Sequence, residues 1–195
     1  MNHSTFLSII QNKIQDSLLF CSTVGSFVYR YPDTLSCKDR DLIVVSQNTI
    51  KNFSYQHQNI RLDVQCFTEN HFLDCLQKQH IFFLEAIFCP KNLQLLENTS
   101  YLNLWKFDAF SLKIHTIENL QKTFQKSYNL FQASSFQKGK KVFFHAYRVF
   151  QIYQQLLQTQ KIEFEKLQDY SSFIDDDPID WFNWIQIFPL IELEL

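Results

Sequence analysis

Residues 23–45 read TVGSFVYRYPDTLSCKDRDLIVV and carry most of what the sequence reveals about function. It places Gly25-Ser26 after a short apolar segment and sets Asp39 and Asp41 at the start of another. The chain has only two glycines, so Gly25 indicates a turn with positive φ or a close backbone approach. Because side chains alternate along a strand, Asp39 and Asp41 are expected on one face. Two carboxylates beside a Gly-Ser turn can hold magnesium against a triphosphate.

Three short strands are predicted in the first third of the chain, at residues 20–24, 41–45 and 60–67. The third strand alternates polar with apolar residues, as half-buried strands do, and Asp63 falls on its open face. Only residues 46–59 separate the second strand from the third. We expect these two strands to pair, since neighbours in sequence are usually neighbours in space. Pairing in register would bring three carboxylates to one end of a small sheet: Asp39, Asp41 and Asp63.

Helical patterns account for most of the remaining sequence. The N-terminal segment predicts an amphipathic helix with one apolar stripe, formed by Phe6, Ile9, Ile10 and Ile14. Further helices are predicted at 69–79 and 81–88, then several from about 93 to 170. The longest, at about 140–160, carries one apolar stripe, formed by Val142, Ala146, Val149, Tyr153 and Leu157. The sequence therefore predicts an α+β protein, with a small mixed sheet and flanking helices at 1–92 and a helical bundle at 93–195.

The composition favours a soluble protein. The chain of 195 residues is 46% hydrophobic and rich in phenylalanine, which argues against disorder. No apolar run approaches the roughly 20 residues that a membrane helix needs, and the N-terminus lacks the pattern of a signal peptide. We therefore expect a cytoplasmic protein that does not act at a membrane.

The cysteines predict free thiols. There are five, an odd number, and none forms a CxxC pair. A zinc site is not expected, because the spacing of the candidate ligands matches no common zinc module: Cys66, His71, Cys75 and His80.

The distribution of charge is more informative than the net charge of −2. Basic residues dominate 111–148, whereas acidic residues dominate 162–195. This division suggests that the middle of the chain faces an anion and that the tail does not. Solvated helix faces would explain both segments equally well, and the sequence leaves the two interpretations open.

In this order and at these distances, the motifs resemble those of the small nucleotidyltransferases of the DNA polymerase beta-like superfamily. Gly25-Ser26 matches the Gly-Ser pair of that family, Asp39-Arg40-Asp41 matches its metal-binding pair, and Asp63 matches its third carboxylate. The resemblance extends over roughly residues 5–170. It includes LDVQCFTENHFLDCLQKQHIFFLEAIFCP at 62–90 and KKVFFHAYRVFQIYQQLLQTQKI at 140–162.

The resemblance implies a sheet of the nucleotidyltransferase type and the transfer of a nucleoside monophosphate from a triphosphate such as ATP to an acceptor hydroxyl. Two Mg²⁺ ions, or Mn²⁺, would be held by three catalytic residues: Asp39, Asp41 and Asp63. The phosphates would be contacted by Gly25, Ser26, Lys141, His145 and Arg148. The acceptor stays open between an RNA end, a protein and a small molecule such as an aminoglycoside.

Two alternatives stand beside this interpretation. Arg30 lies where the family usually carries a second glycine, which is compatible with a degenerate protein that binds a nucleotide or a partner without catalysis. Such a module could bind its partner through the acidic, tryptophan-bearing segment 175–184. Lys141, His145 and Arg148 share one helical face by their spacing, and an ordinary solvated flank would show the same pattern.

Overall fold

The computed structural model describes residues 3–29, 39–57 and 59–167. The chain divides into two compact units, Met1–Phe107 and Asp108–Leu195. The elements of the first unit are α1 (His3–Ile14), β1 (Leu18–Val24), α2 (Ser26–Tyr29), β2 (Asp39–Ser46), β3 (Lys51–His57), β4 (Ile60–Thr68), α3 (Glu69–Gln77), α4 (Ile81–Phe88), β5 (Gln94–Leu96) and α5 (Ser100–Leu104). Those of the second are α6 (Ala109–Gln132) and α7 (Phe136–Thr159). This architecture confirms the predicted α+β class.

The first unit is built on a five-stranded mixed sheet with the order β3-β4-β2-β1-β5. Strands β2 and β4 run parallel, and every other neighbouring pair runs antiparallel. The predicted pairing of the two aspartate-bearing strands is confirmed. Their parallel direction follows from β3, which lies between them in sequence and pairs antiparallel with β4 on its outer side.

The two faces of the sheet bury different side chains. Helix α1 packs Phe6, Ile10 and Ile14 against apolar residues of the central strands, as its predicted stripe requires, whereas Ile9 is only half-buried. The opposite face carries an aromatic cluster. In it the ring of Phe72 lies 5.7 Å from that of Phe20 and 5.1 Å from that of Tyr101. The sheet is therefore covered on both sides along much of its length. The polar residues lie near the start of β2 and β4, and this edge of the sheet is called the β2–β4 end.

Two strands of the sheet were not predicted from the sequence. Strand β3 occupies half of the segment 46–59 that was expected to connect two strands, and β5 lies where helices were expected to begin. Because β5 pairs with β1, the segment after residue 93 belongs to the sheet, and the division between units falls after Phe107 rather than at the predicted 92/93. The helices predicted at 69–79 and 81–88 are present as α3 and α4. Helix α3 ends before Gln79, whose φ is +58°.

In the second unit, α6 and α7 form a helical hairpin closed by a short turn. Ser127 Oγ donates to the carbonyl of Gly139 at 2.9 Å, and the rings of Phe124 and Phe143 lie 5.6 Å apart. The buried face of α7 includes Ala146, Val149 and Tyr153 of its predicted stripe. Leu157 was expected there but is exposed, and three phenylalanines of α7 are buried instead: Phe143, Phe144 and Phe150.

Four of the five cysteines lie among the described residues, and all four are free and buried: Cys21, Cys66, Cys75 and Cys89. This agrees with the predicted free thiols, and Cys37 lies outside the described residues. None of the helices in the described part of the chain is long and apolar enough to cross a membrane.

Candidate metal and nucleotide site

The Asp-Arg-Asp motif opens β2 and divides its side chains between the two faces of the sheet. Arg40 lies on the α1 face, where its guanidinium carbon stands 4.9 Å from the ring centre of Phe6 and 4.3 Å from that of Phe27. Asp39 and Asp41 alternate with Arg40 and therefore share the opposite face. The predicted common face of the two aspartates is thus present, and the intervening arginine anchors the strand that carries them.

Asp41 and Asp63 are direct partners across the parallel ladder of β2 and β4. Residues paired in this way point to the same face of a sheet, so Asp41 and Asp63 share one face on neighbouring strands. Asp39 lies on the same face, two residues before Asp41, and its partner in the ladder is Arg61. The register therefore places the three predicted aspartates on one face of the sheet, near the start of β2 and β4.

Gly25 borders the same site from β1. It follows Val24, the antiparallel partner of Asp41, and has a φ of +73°. A Cβ atom added to Gly25 would lie 2.8 Å from Oδ2 of Asp41, which is closer than real Cβ contacts allow. The absence of a side chain at Gly25 therefore leaves the space that the Asp41 carboxylate occupies, as predicted from the scarcity of glycine.

Asp63 is engaged by two residues that the sequence analysis did not assign to the site. Ser54 Oγ donates to Oδ1 of Asp63, and Nε of Arg61 lies 3.1 Å from each carboxylate oxygen. Ser54 is the β3 partner of Asp63, and Arg61 precedes Asp63 by two residues on β4. Strand alternation alone would have placed Arg61 beside Asp63. Ser54 could not be found, because β3 was not predicted.

The three aspartates supply the kind of ligand that Mg²⁺ binds, and they lie on one face of the sheet. Carboxylate oxygens are the ligands that Mg²⁺ prefers, and Asp41 stands between the glycine turn and Asp63. Among the described residues, however, no three acidic, histidine or cysteine side chains lie close enough together to enclose a metal ion. The residues that would hold the metal are Asp39, Asp41 and Asp63, and Asp63 is occupied by Arg61 and Ser54.

The predicted basic residues all lie on α7, in the second unit. Lys141 is exposed, whereas Arg148 is buried, with 5% of its surface accessible, so this flank is not uniformly solvated. An Nη of Arg148 lies 2.8 Å from Nδ1 of His145. Because a guanidinium can only donate, Nδ1 of His145 accepts this hydrogen bond, and the imidazole is neutral.

The electrostatics of His145 agree with this tautomer. Although His145 keeps exposed surface, loss of hydration around the ring lowers its pKa to about 4, and the charges of Arg148 and Lys126 contribute. Lys126 belongs to α6, so both helices of the hairpin supply positive charge near this imidazole. A phosphate-binding role for Lys141, His145 and Arg148 stays a prediction.

Other predicted features fall outside the described residues. These are the side chain of Ser26, which begins α2, the position of Arg30, and the acidic aromatic tail that includes 175–184.

Comparison with solved structures gives a distant likeness. No family model matches the chain, and no curated protein matches it in sequence. Among solved structures, the chain is similar to a nucleotidyltransferase-like protein from Exiguobacterium sibiricum 255-15, with 15% identity and a TM-score of 0.40. The match covers 98% of this chain and 73% of that one.

Proposed function

We propose that the protein is a metal-dependent nucleotidyltransferase, with its active site at the β2–β4 end of the sheet. The observation that carries this proposal is the position of Asp41, which has the Gly25 turn on one side and Asp63 on the other. A carboxylate pair beside a backbone without a side chain suits a triphosphate whose negative charge is balanced by a divalent cation.

Each residue has a distinct role in this proposal. Asp39 and Asp41 would hold Mg²⁺, Asp63 would complete the catalytic metal site, and the Gly25-Ser26 turn would contact the outer phosphates. Bound Mg²⁺ would neutralise the phosphate charge and polarise the α-phosphate. Asp63 accepts the proton of the acceptor hydroxyl, whose oxygen bonds to the α-phosphorus as the bond to pyrophosphate breaks. Positioning and charge neutralisation supply most of the rate enhancement, as in other phosphoryl transfers.

The acceptor could be an RNA end, a protein hydroxyl or a small molecule. The proposal is tested by incubating the protein with Mg²⁺, an α-³²P-labelled nucleoside triphosphate and separate acceptor pools. Transfer of label should be lost in Asp39→Asn and in Asp41→Asn, while circular dichroism of both variants stays unchanged. Undiminished transfer in either variant would exclude the assignment.

The ion pair at Asp63 supports a second candidate, a nucleotide-binding module without catalysis. Arg61 supplies a protein cation at the position where a catalytic site needs a metal. A module of this kind would bind a nucleoside triphosphate equally well with Mg²⁺ and with EDTA. Calorimetry under these two conditions separates it from the enzyme, whose binding would require the metal.

A further inference from the structure

Ser54 contacts Asp63 from the β3 side of strand β4. Strand β4 lies between β3 and β2, so Ser54 on β3 and Asp41 on β2 flank Asp63 from opposite sides. The hydrogen bond from Ser54 therefore holds the carboxylate of Asp63 on its β3 side.

Arg61 strengthens the same arrangement. Its Nε is shared between both oxygens of Asp63, at 3.1 Å from each. Both side chains keep access to solvent, with 56% of Arg61 and 34% of Asp63 exposed. The ion pair is therefore screened and easily broken, and a divalent cation can compete with it.

We propose that Arg61 and Ser54 form a built-in competitor for the cation at Asp63. The guanidinium of Arg61 neutralises Asp63, and Ser54 fixes it on the β3 side. A metal ion must displace both contacts before Asp63 can join Asp41. The inference rests on the proposed function, because it concerns the same site, and it predicts that removing either contact tightens metal binding.

Mn²⁺ alone is the appropriate probe, because binding removes the electron paramagnetic resonance signal of the free ion. Exposed ion pairs are weak, so Arg61→Gln should bind Mn²⁺ about two- to fivefold more tightly than the wild type. Ser54→Ala should also bind more tightly, and Arg61→Lys should fall between Arg61→Gln and the wild type. Ser54 and Arg61 are exposed, so these variants should fold normally, as circular dichroism will verify.

Lys51→Gln is the matched control. Lys51 is an exposed cation on the same sheet, but it pairs with Cys66 and so lies on the face opposite to Asp63. Its replacement removes the same charge without touching the site, and the affinity for Mn²⁺ should stay at the wild-type value. A gain in Lys51→Gln equal to that in Arg61→Gln would mean that only net charge matters, which would overturn the inference.

The outcomes separate this inference from the proposed function. If Asp41→Asn loses Mn²⁺ but Arg61→Gln binds it no more tightly than the wild type, the competitor is disproved and the metal site remains. If the wild type binds no Mn²⁺, or Asp41→Asn binds it as the wild type does, both the proposed function and the inference fail.

Discussion

The carboxylate of Asp41 occupies the space that a side chain at Gly25 would fill. A Cβ on Gly25 would stand 2.8 Å from Oδ2 of Asp41 and 3.6 Å from its Cγ, and the φ of Gly25 is +73°. Two separate features thus disfavour a side chain at this position: the backbone conformation and the nearby carboxylate. The turn after β1 and the Asp-Arg-Asp motif of β2 are therefore in direct contact.

Gly25→Ala should damage both stability and metal binding. The new methyl group would meet the carboxylate of Asp41, and the alanine backbone would have to adopt a left-handed conformation. Together these two effects should lower the unfolding free energy by about 1–3 kcal/mol. Displacement of the Asp41 carboxylate should also weaken Mn²⁺ binding at least tenfold. Urea unfolding and paramagnetic resonance measure the two effects.

Gly139→Ala, at the other glycine of the chain, is the control. A Cβ there would lie 2.7 Å from the ring of Phe131, so this variant should destabilise the hairpin. Its folded form should bind Mn²⁺ as the wild type does, because Gly139 belongs to the second unit. Equal Mn²⁺ affinity in Gly25→Ala and the wild type would show that Asp41 does not need the open space.

Arg40 should contribute to stability rather than to the reaction. Its guanidinium lies over the rings of Phe6 and Phe27, on the face opposite to the two aspartates. Arg40→Met keeps the apolar stem but removes the cation–π contacts, and should lower the unfolding free energy by about 1–2 kcal/mol. Arg61→Met, at an exposed position, should change it by less than about 0.5 kcal/mol. The opposite ranking in urea unfolding would contradict the assignment of Arg40 to the packed face.

His145 should stay neutral at physiological pH and make folding sensitive to acid. Its pKa in the folded protein, about 4, lies below the ordinary value of 6.5. The unfolded chain therefore binds more protons than the folded one between these values, and stability should fall as pH drops from 6.5 towards 4. Titration of the ring by NMR should show the low pKa. In Arg148→Met the pKa should rise, because one of the neighbouring charges is removed.

A normal histidine titration near pH 6.5 in the wild type would refute this description of the hairpin. His145→Gln offers a second check, because the stability of the variant should lose the part of its pH dependence that arises from His145.

The carboxylate face could be predicted because alternation and register follow from strand geometry. The shared face of Asp39 and Asp41 follows from the two-residue period of a strand. The position of Asp63 on that face follows from the pairing of neighbouring strands. The direction of the pairing could not be predicted, because it depends on β3. That strand, KNFSYQH, is largely polar, since it lies at the edge of the sheet and buries little surface. Because its sequence shows only a weak strand pattern, neither the parallel direction of β2 and β4 nor the contact of Ser54 with Asp63 could be predicted.

The short strand β5 shows a different limit of sequence analysis. Its three residues, Gln94–Leu96, are too few to show a period, and only pairing with β1 defines them as a strand. The burial of Arg148 was equally hidden, since spacing placed it on a helical flank and could not reveal its contact with His145.

The most direct test of the central claim is the binding of the four nucleoside triphosphates by calorimetry, with Mg²⁺ and with EDTA. The wild type and Asp39→Asn/Asp41→Asn should be measured side by side. We predict that the wild type binds at least one triphosphate only with Mg²⁺, and that the double variant binds none although it is folded. Binding that is unaffected by EDTA, or preserved in the double variant, would contradict a metal-dependent nucleotide site at Asp39 and Asp41.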